Sequence, residues 1–207
     1  MRRKLQEYPS VVIETALTEK VFDFFEIFGR AGPIHIEIGS GKGTFLLGQG
    51  QAQPEVNFLG VEWARKYYRY AVDRIGRWDL KNVRLIRTNA ADFLANNVPS
   101  YSVDCFHIYF PDPWPKKRHN KRRFFNRGNL ENMITCLKQA GQIRIATDFI
   151  EYFNQICELL KDNSNRLKEI DFVKPASASD NECVGTNYER KYIKEGRSIY
   201  VVAVEKI

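Results

Sequence analysis

A glycine-rich turn directly after an apolar run has the composition of a ligand-binding loop. It reads His35-Ile36-Glu37-Ile38-Gly39-Ser40-Gly41-Lys42-Gly43, and glycines let the backbone turn tightly and approach a ligand closely. A phosphate-binding P-loop requires Ser or Thr after its Gly-Lys pair and a glycine at position 36, where this chain has Gly43 and Ile36. A dinucleotide-binding fingerprint requires a glycine at position 44, which is Thr44. The spacing therefore excludes both of these phosphate-binding loops.

Two acidic residues accompany the turn. Glu37 lies inside the preceding strand and gives the pattern E-x-G-x-G-x-G, and Glu62 ends the next apolar run. The first carboxylate suits a cationic ligand and disfavours a pyrophosphate, and the second is placed to accept from two ribose hydroxyls. S-adenosylmethionine, with its sulfonium, ammonium and ribose, meets both requirements. The alternative is a structural turn in which Glu37 caps a helix and Glu62 is an ordinary strand-end charge.

A stiff segment follows the fourth apolar run. It reads Tyr109-Phe110-Pro111-Asp112-Pro113-Trp114-Pro115-Lys116-Lys117, and its three prolines restrict the backbone around one carboxylate and one indole. An acid held beside an aromatic platform can bind a flat base. The alternative is a proline-rich edge loop that buries Trp114.

The basic run 116–123 continues directly out of this segment, and six of its eight residues are Lys or Arg. Charge runs are often solvated faces, and that reading stays open. A phosphate backbone held here would place a base over Asp112 and Trp114, so the position of the run favours an RNA contact.

Together with Thr186-Asn187-Tyr188-Glu189, the glycine turn and the segment 110–119 make the chain resemble the bacterial tRNA (guanine-N7)-methyltransferase family over residues 34–205. The resemblance implies a class I methyltransferase fold, Rossmann-like, with a mostly parallel seven-stranded sheet, helices on both faces and an antiparallel edge strand. It also implies that S-adenosylmethionine, without a metal, methylates N7 of the variable-loop guanosine at position forty-six of tRNA.

The resemblance also implies site residues. The cofactor-binding positions are Glu37, Gly39, Gly41, Glu62, Asn89, Ala90 and Asp112. The substrate-binding positions are Lys116, Asp148, Thr186, Asn187, Tyr188 and Glu189, and the RNA-contacting positions are Arg118, His119, Asn120, Lys121, Arg122 and Arg123. Asn89 departs from the family, which usually has aspartate there, but an amide oxygen still accepts from an adenine amino group.

The implied chemistry needs few groups. Guanine N7 carries an in-plane lone pair and no proton, so it can attack a sulfonium methyl group without a general base. The protein then has to position the reactants and supply negative charge where the purine becomes cationic, a role that we assign to Asp112. Glu189 is placed to accept from guanine N1–H and the exocyclic amine, and Asp148 is expected to cap the following helix as well.

The elements that position these residues alternate along the chain. Apolar runs predict strands at 34–38, 56–61, 83–86, 103–110, 143–147, 166–173 and 198–205, and amphipathic patterns predict helices at 43–49, 64–77, 90–97, 126–139 and 149–161. Such repeats indicate a parallel sheet covered on both faces, with the last two strands pairing antiparallel at one edge and a long polar loop between them. Residues 1–32 are expected to form an extended arm and a helix, and residues 33–207 a single domain.

Composition agrees with a folded protein that has a polyanionic partner. Apolar residues make up 43% of the 207 residues and the net charge is +7. Because the four cysteines include no C-x-x-C pair, zinc and dithiol motifs are absent, and the N-terminus lacks a long apolar run, so we expect a cytoplasmic protein with no membrane contact. His35 and His107 are expected in the core. The helix carrying Tyr67, Tyr68 and Tyr70 is either a second RNA face or a surface with snorkelling side chains.

Two other functions stay open from the sequence, and so does the choice between monomer and homodimer. One is a class I methyltransferase that acts on another RNA or on a small molecule, which leaves the basic run unused. The other is a non-catalytic RNA-binding relic of this fold, which loss of Glu37 or of the glycines would favour.

Overall fold

The computed structural model describes residues 4–14 and 20–207. Within them, seven strands form one sheet in the order β3-β2-β1-β4-β5-β7-β6. The strands are β1 Ile34–Ile38, β2 Asn57–Val61, β3 Val83–Ile86, β4 Val103–Tyr109, β5 Leu137–Thr147, β6 Leu167–Ile170 and β7 Tyr200–Lys206. Strands β1 to β5 are parallel, and β7 runs antiparallel to both of its neighbours, β5 and β6. The predicted sheet is therefore confirmed, with the antiparallel strand one place in from the edge.

Helices cover both faces of the sheet. They are α1 Phe24–Phe28, α2 Thr44–Ala52, α3 Arg65–Arg77, α4 Ala90–Asn96, α5 Arg127–Cys136, α6 Ile150–Lys161 and α7 Asn187–Lys194. Because side chains alternate across a strand, the sheet divides the core into two clusters. One contains Ile36 and Phe106, and the other contains Phe45 and Phe58.

The predicted N-terminal arm and helix are partly described. Residues 1–3 and 15–19 lie outside the described part of the chain. Val12 forms a parallel bridge with Leu85, and the amide of Ile13 donates to the Leu85 carbonyl at 2.8 Å. Helix α1 begins after Asp23, whose carboxylate caps it, and ends at Gly29 with a left-handed φ of 67°. The arm thus extends the sheet beside β3.

The predicted elements differ most from the structure at two places. The helix predicted at 126–139 ends at Cys136, because Leu137 already pairs with Val103 and starts the long strand β5. The polar loop predicted between the last two strands contains α7, which Thr186 caps by accepting from the amide of Glu189. A short helix that is mostly polar buries little apolar surface, so its periodicity gave no signal.

Gly60 lets helix α2 lie close to the centre of strand β2. A Cβ atom at Gly60 would overlap Leu46 Cδ1 and would lie 2.6 Å from Leu85 Cδ2 and 3.1 Å from Ser40 Cβ. Leu46 and Leu85 are fully buried, so both side chains would have to repack around an added methyl group. The glycine therefore sets the distance between the sheet and the helix that follows the glycine turn.

We expect Gly60→Ala to lower the free energy of unfolding by about 1–3 kcal/mol through overpacking. Gly128→Ala in α5 is the matched control, because a Cβ there would meet only Asn126 Oδ1 at 3.5 Å. That exposed helical change should raise stability by about 0.5–1 kcal/mol. Urea unfolding measures both, and a Gly60→Ala protein as stable as the wild type would show that α2 and β2 are not tightly packed.

Candidate active site

The predicted site residues converge where the strand order reverses. Strand β1 lies between β2 and β4, so the chain that leaves β1 crosses to one side of it, and the chain that enters β4 comes in on the other side. These diverging connections leave a crevice at the carboxyl ends of the strands, which is where α/β sheets bind ligands. Two adjoining cavities lie there and share Gly39, Gly41, Tyr67, Tyr109 and Tyr188. The first also contains Glu37, Ser40, Lys42, Thr186 and Asn187, and the second contains Glu62, Ala90, Asp112, Trp114 and Asp148.

Glu37 brings an unpaired carboxylate to the first cavity. Its side chain is 4% exposed, and its Oε2 atom has no hydrogen-bond partner among the described residues. Burial, and secondarily the charge of Glu62, hold the pKa of Glu37 well above its usual range. The hydroxyl of Ser40, which lines the same cavity, is buried and unpaired as well. Because unpaired buried polar atoms are costly, this pair is suited to a polar, cationic ligand group.

Glu62 holds the glycine turn in an open shape. Its Oε2 atom accepts from the amide of Gly41 at 2.8 Å, and its Oε1 atom accepts from the amide of Ala64 at 2.7 Å. Gly39 and Gly41 adopt φ values of 77° and 55°, which favour glycine. A Cβ atom at Gly39 would meet nothing within 4 Å. The turn is thus fixed by a carboxylate and presents bare backbone to the cavity.

The Pro-Asp-Pro segment leaves β4 through strained backbone. Phe110 and Trp114 have φ values of 52° and 43°, a region that costs a non-glycine residue about 1–2 kcal/mol. The amide of Phe110 still donates to the Ala146 carbonyl at 2.7 Å, which keeps the segment attached to β5. Asp112, between these two residues, is exposed and accepts no hydrogen bond from the part of the chain described. Strain of this kind is typical of functional loops, and here it presents a free carboxylate to the second cavity.

Arg123 lies under this segment and not on the surface. It is 4% exposed, its Nε atom donates to the Pro113 carbonyl at 2.8 Å, and its Nη1 atom donates to Gln155 Oε1 at 2.6 Å. Its guanidinium lies 4.8 Å from the ring centroid of Tyr152 and 6.0 Å from that of Phe149. The expected RNA contact of Arg123 is therefore not compatible with its position, and the residue instead connects the segment to α6.

The rest of the basic run is accessible. It forms a 3-10 helix, Lys117–Arg122, in which Lys117, Arg118, Lys121 and Arg122 are exposed and His119 and Asn120 are half-buried. Lys116 precedes the helix and is exposed as well. Arg122 stacks 4.9 Å from the indole centroid of Trp114, and His119 meets the same ring edge-on at 5.9 Å. The run therefore borders the second cavity, next to Asp112.

Asp148 enters the cleft, but it does not cap α6 as expected. The helix begins one residue later than predicted, and Thr147 Oγ1 accepts from the amide of Phe149 instead. Asp148 Oδ2 accepts from Arg197 at 2.7 Å, and Arg197 lies 4.5 Å from the ring centroid of Tyr192. Sequence reasoning missed Arg197, because nothing in a polar loop distinguishes one arginine from the others.

Residues 186–189 have two different roles. Asn187 Nδ2 donates to Thr44 Oγ1 at 2.7 Å, and Tyr188 borders both cavities. Glu189 is fully buried, and its carboxylate accepts from three consecutive amides, those of Cys183, Val184 and Gly185. A T-x-x-E sequence is also the signature of a helix capping box, and that signal could have identified Glu189 as a structural residue. The expected guanine contact of Glu189 does not fit this geometry.

Asn89 acts as a cap. Its Oδ1 atom accepts from the amides of Ala91 at 2.9 Å and Asp92 at 3.4 Å, at the start of α4. Ala90, next to it, lines the second cavity. The acceptor that was expected to face an adenine is therefore already engaged with the helix.

The two strand histidines lie behind the cleft. Tyr109 borders both cavities, and its hydroxyl lies 2.8 Å from His107 Nδ1, whose Nε2 atom lies 3.2 Å from His35 Nδ1. His107 is buried, as expected, and His35 lies at the edge of the core. Burial is the main cause that lowers the pKa of His35 to about 4, so this row of side chains is uncharged at neutral pH.

Comparison with known proteins supports an enzyme. A family model described as "Putative methyltransferase" matches residues 31–202. A tRNA (guanine-N(7)-)-methyltransferase of Rhodopirellula baltica is 34% identical over 186 residues, covering 87% of this chain and 68% of the relative. One of Streptococcus thermophilus is 34% identical over 180 residues, covering 87% and 84%.

Solved structures share the fold at low identity. An antibiotic-related methyltransferase matches with a TM-score of 0.61 and 19% identity, covering 90% of this chain and 96% of the other. An S-adenosylmethionine-dependent methyltransferase from Aquifex aeolicus matches with a TM-score of 0.58 and 14% identity, covering 88% and 87%. No described helix has the length and apolarity needed to cross a membrane. Since the family model and these relatives cover most of its length, the chain belongs to the tRNA (guanine-N7)-methyltransferase family.

Proposed function

We propose that this protein transfers a methyl group from S-adenosylmethionine to N7 of the guanosine at position forty-six of tRNA, in the variable loop. The observation that carries the proposal is the pair of buried acids, one unpaired, beside an open glycine turn and a free carboxylate on a strained loop. The relatives' name, tRNA (guanine-N(7)-)-methyltransferase, supports methylation of guanine N7 in tRNA.

Residues of the first cavity, together with Glu62 from the second, fit the cofactor. Glu37 would bind the ammonium, the remaining lone pairs of Glu62 would accept from the ribose, and the backbone of Gly39 and Gly41 would lie along the ligand. When bound, the cofactor supplies an electrophilic methyl group. The adenine would lie towards Ala90, on the far side of Glu62 in the second cavity.

The residues of the second cavity fit a purine. Asp112 supplies negative charge beside a ring that becomes cationic on methylation, and Trp114 offers a flat apolar surface. Because Glu189 is enclosed by its own loop, we assign recognition of the guanine N–H groups to Asp148, whose carboxylate borders the cavity and is oriented by Arg197. N7 needs no base, so no residue has to accept a proton.

The reaction itself is tested with an unmodified tRNA transcript. Incubation with S-adenosylmethionine should yield 7-methylguanosine in the nucleoside digest, detected by mass spectrometry. A transcript with adenosine at position forty-six is the control and should yield none. Methylation of the control would assign the enzyme to another site, and methylation of neither transcript would contradict the proposal.

Cofactor binding should release protons. The raised pKa of Glu37 in the free protein has to fall when a cation binds beside it, so a proton leaves at pH values between the two pKa values. Affinity should rise with pH until Glu37 is ionised in the free protein, and stay constant above that. Calorimetry in buffers of different ionisation enthalpy, below about pH 7 where the ligand amine is protonated, measures the release.

Glu37→Gln is the matched variant, because it keeps the shape and removes the titration. We expect no proton release and a loss of about 2 kcal/mol, or about thirtyfold in affinity, since a hydrogen bond to a charged group is lost. Equal proton release in both proteins would show that Glu37 does not bind the ammonium.

Asp112→Asn should slow methyl transfer by about a hundredfold in single turnover, while changing tRNA affinity much less. The amide keeps the shape of the carboxylate and loses its charge. The wild-type rate should be nearly constant from about pH 6 to about pH 8, because no base titrates in the transfer step. Asp162→Asn, an exposed change at the end of α6 that lines neither cavity, is the control. Full single-turnover speed for Asp112→Asn would reduce that residue to a structural role.

Arg118 and Arg123 should give opposite results, although they belong to the same basic run. Arg123→Ala leaves the Pro113 carbonyl and Gln155 without a donor, and should lower the free energy of unfolding by about 2–3 kcal/mol. Arg118→Ala should change stability by less than about 0.5 kcal/mol and reduce the logarithmic salt slope of tRNA binding by about 0.7–0.9. Thermal unfolding and a salt titration distinguish the two variants. An Arg123→Ala protein as stable as the wild type would contradict the structural role of Arg123.

A further inference from the structure

The cleft has a second basic border, opposite the Lys117–Arg122 helix. It is formed by Lys42 in the glycine turn, Lys66 and Tyr70 on α3, and Lys191 on α7, and we call these residues the α3–α7 face. Lys42 and Lys191 line the first cavity. Lys42 Nζ lies 5.6 Å from the ring centroid of Tyr70, and Lys66 is one helical turn from Tyr70 and exposed. The glycine turn, α3 and α7 thus contribute to one accessible surface.

Little negative charge neutralises this face. Among the described residues, Lys42 and Lys66 form no ion pair, and Lys191 has only an exposed partner, Glu195, at 3.6 Å. The acids that precede these lysines in sequence, Glu37, Glu62 and Glu189, are buried. Such an uncompensated cluster at a cleft attracts a polyanion.

Positive charge is also crowded behind the face. Arg74, two turns after Lys66 on α3, donates to Thr44 Oγ1, which also accepts from Asn187 on α7. Burial, and then the neighbouring Arg77 and Arg190, lower the pKa of Arg74. Because Arg77 and Arg190 have acidic partners, Asp73 and Glu182, Arg74 is the member of this group that forms no ion pair among the described residues.

The position of the face follows from the sheet. Helix α3 follows β2, the Lys117–Arg122 helix follows β4, and β1 lies between these two strands. The RNA backbone continues in both directions from a nucleotide that is inserted between the two borders. Each border can therefore bind the phosphates on only one side of that nucleotide. Tyr70 and Tyr188, 37% and 43% exposed, add rings on which an unpaired base can stack.

We propose that the α3–α7 face binds RNA phosphates on the side of the target nucleotide opposite the Lys117–Arg122 helix. The proposal rests on the proposed function, because it takes tRNA as the polyanion. It assigns Lys66 and Lys191 to contacts that hold the substrate while the Pro-Asp-Pro segment holds the base.

The test compares the double variant Lys66→Ala/Lys191→Ala with the double variant Lys161→Ala/Lys168→Ala. The control removes two exposed lysines from α6 and β6, away from the cleft. Binding of an unmodified tRNA transcript is measured by fluorescence anisotropy, without cofactor, from about 50 to about 200 mM salt. Cofactor binding by calorimetry and thermal unfolding are measured on the same samples.

We expect the α3–α7 variant to lose about 1.4–1.8 from the logarithmic salt slope, or about 0.7–0.9 for each phosphate contact. Its tRNA affinity should fall at least about tenfold at the lowest salt, with an unchanged melting temperature. The single variant Lys66→Ala, which lies outside the cavity that Lys191 lines, should lose about half of that slope and keep the cofactor affinity of the wild type. A slope and an affinity equal to those of the control would overturn the inference, and so would a loss confined to cofactor binding. If the wild type binds tRNA and forms 7-methylguanosine, such a result overturns this inference alone, whereas a wild type that does neither contradicts the proposed function.

Discussion

Several backbone N–H groups in the loops at the carboxyl edge of the sheet are not bonded to a strand, and the cleft depends on side-chain oxygens that accept from them. Glu62 accepts from Gly41 in the glycine turn after β1 and from Ala64 just before α3, and Glu189 accepts from three amides in succession. An unsatisfied buried amide costs about 1–3 kcal/mol, so each acceptor fixes its loop. Glu37 is the exception, because its free oxygen is available to a ligand.

Acidic and basic residues around the cleft are arranged by sign, with the ion pair of Asp148 and Arg197 as the exception. The acids that border the cavities, Glu37, Glu62, Asp112 and Asp148, lie inside the cleft, and the lysines and arginines lie along its two borders. This arrangement suits a substrate whose backbone is anionic and whose reacting base becomes cationic. Arg123 is the one cation of the basic run that is buried. Its partners are the Pro113 carbonyl and the Tyr152 ring, and not a carboxylate.

The sequence predicted the elements whose apolar spacing is regular. The bounds of β1 and β3 agree with the prediction to the residue, because buried strands leave continuous apolar runs. Helix α7 was missed because it is short and mostly polar, so it has no apolar stripe. Helix α5 was predicted to extend too far because the apolar residues near Leu137 fit both a helix and a strand. The cluster around Glu37 and Asp112 was predictable from residue types at motif spacing. The contrast between Arg118 and Arg123 was not, since sequence does not reveal which of two arginines is buried.

The place of β7 in the sheet has a consequence for the order of folding. Strand β6 precedes β7 in the chain, yet it joins the sheet only through β7, which lies between it and β5. During synthesis β6 therefore stays without a partner until β7 has left the ribosome, while the parallel strands can already pair. Helix α7, which forms one wall of the first cavity, lies between these two strands in sequence. The nascent protein thus completes its sheet and the α7 wall of the first cavity in the same late step. Earlier intermediates have the glycine turn without the helix that faces it.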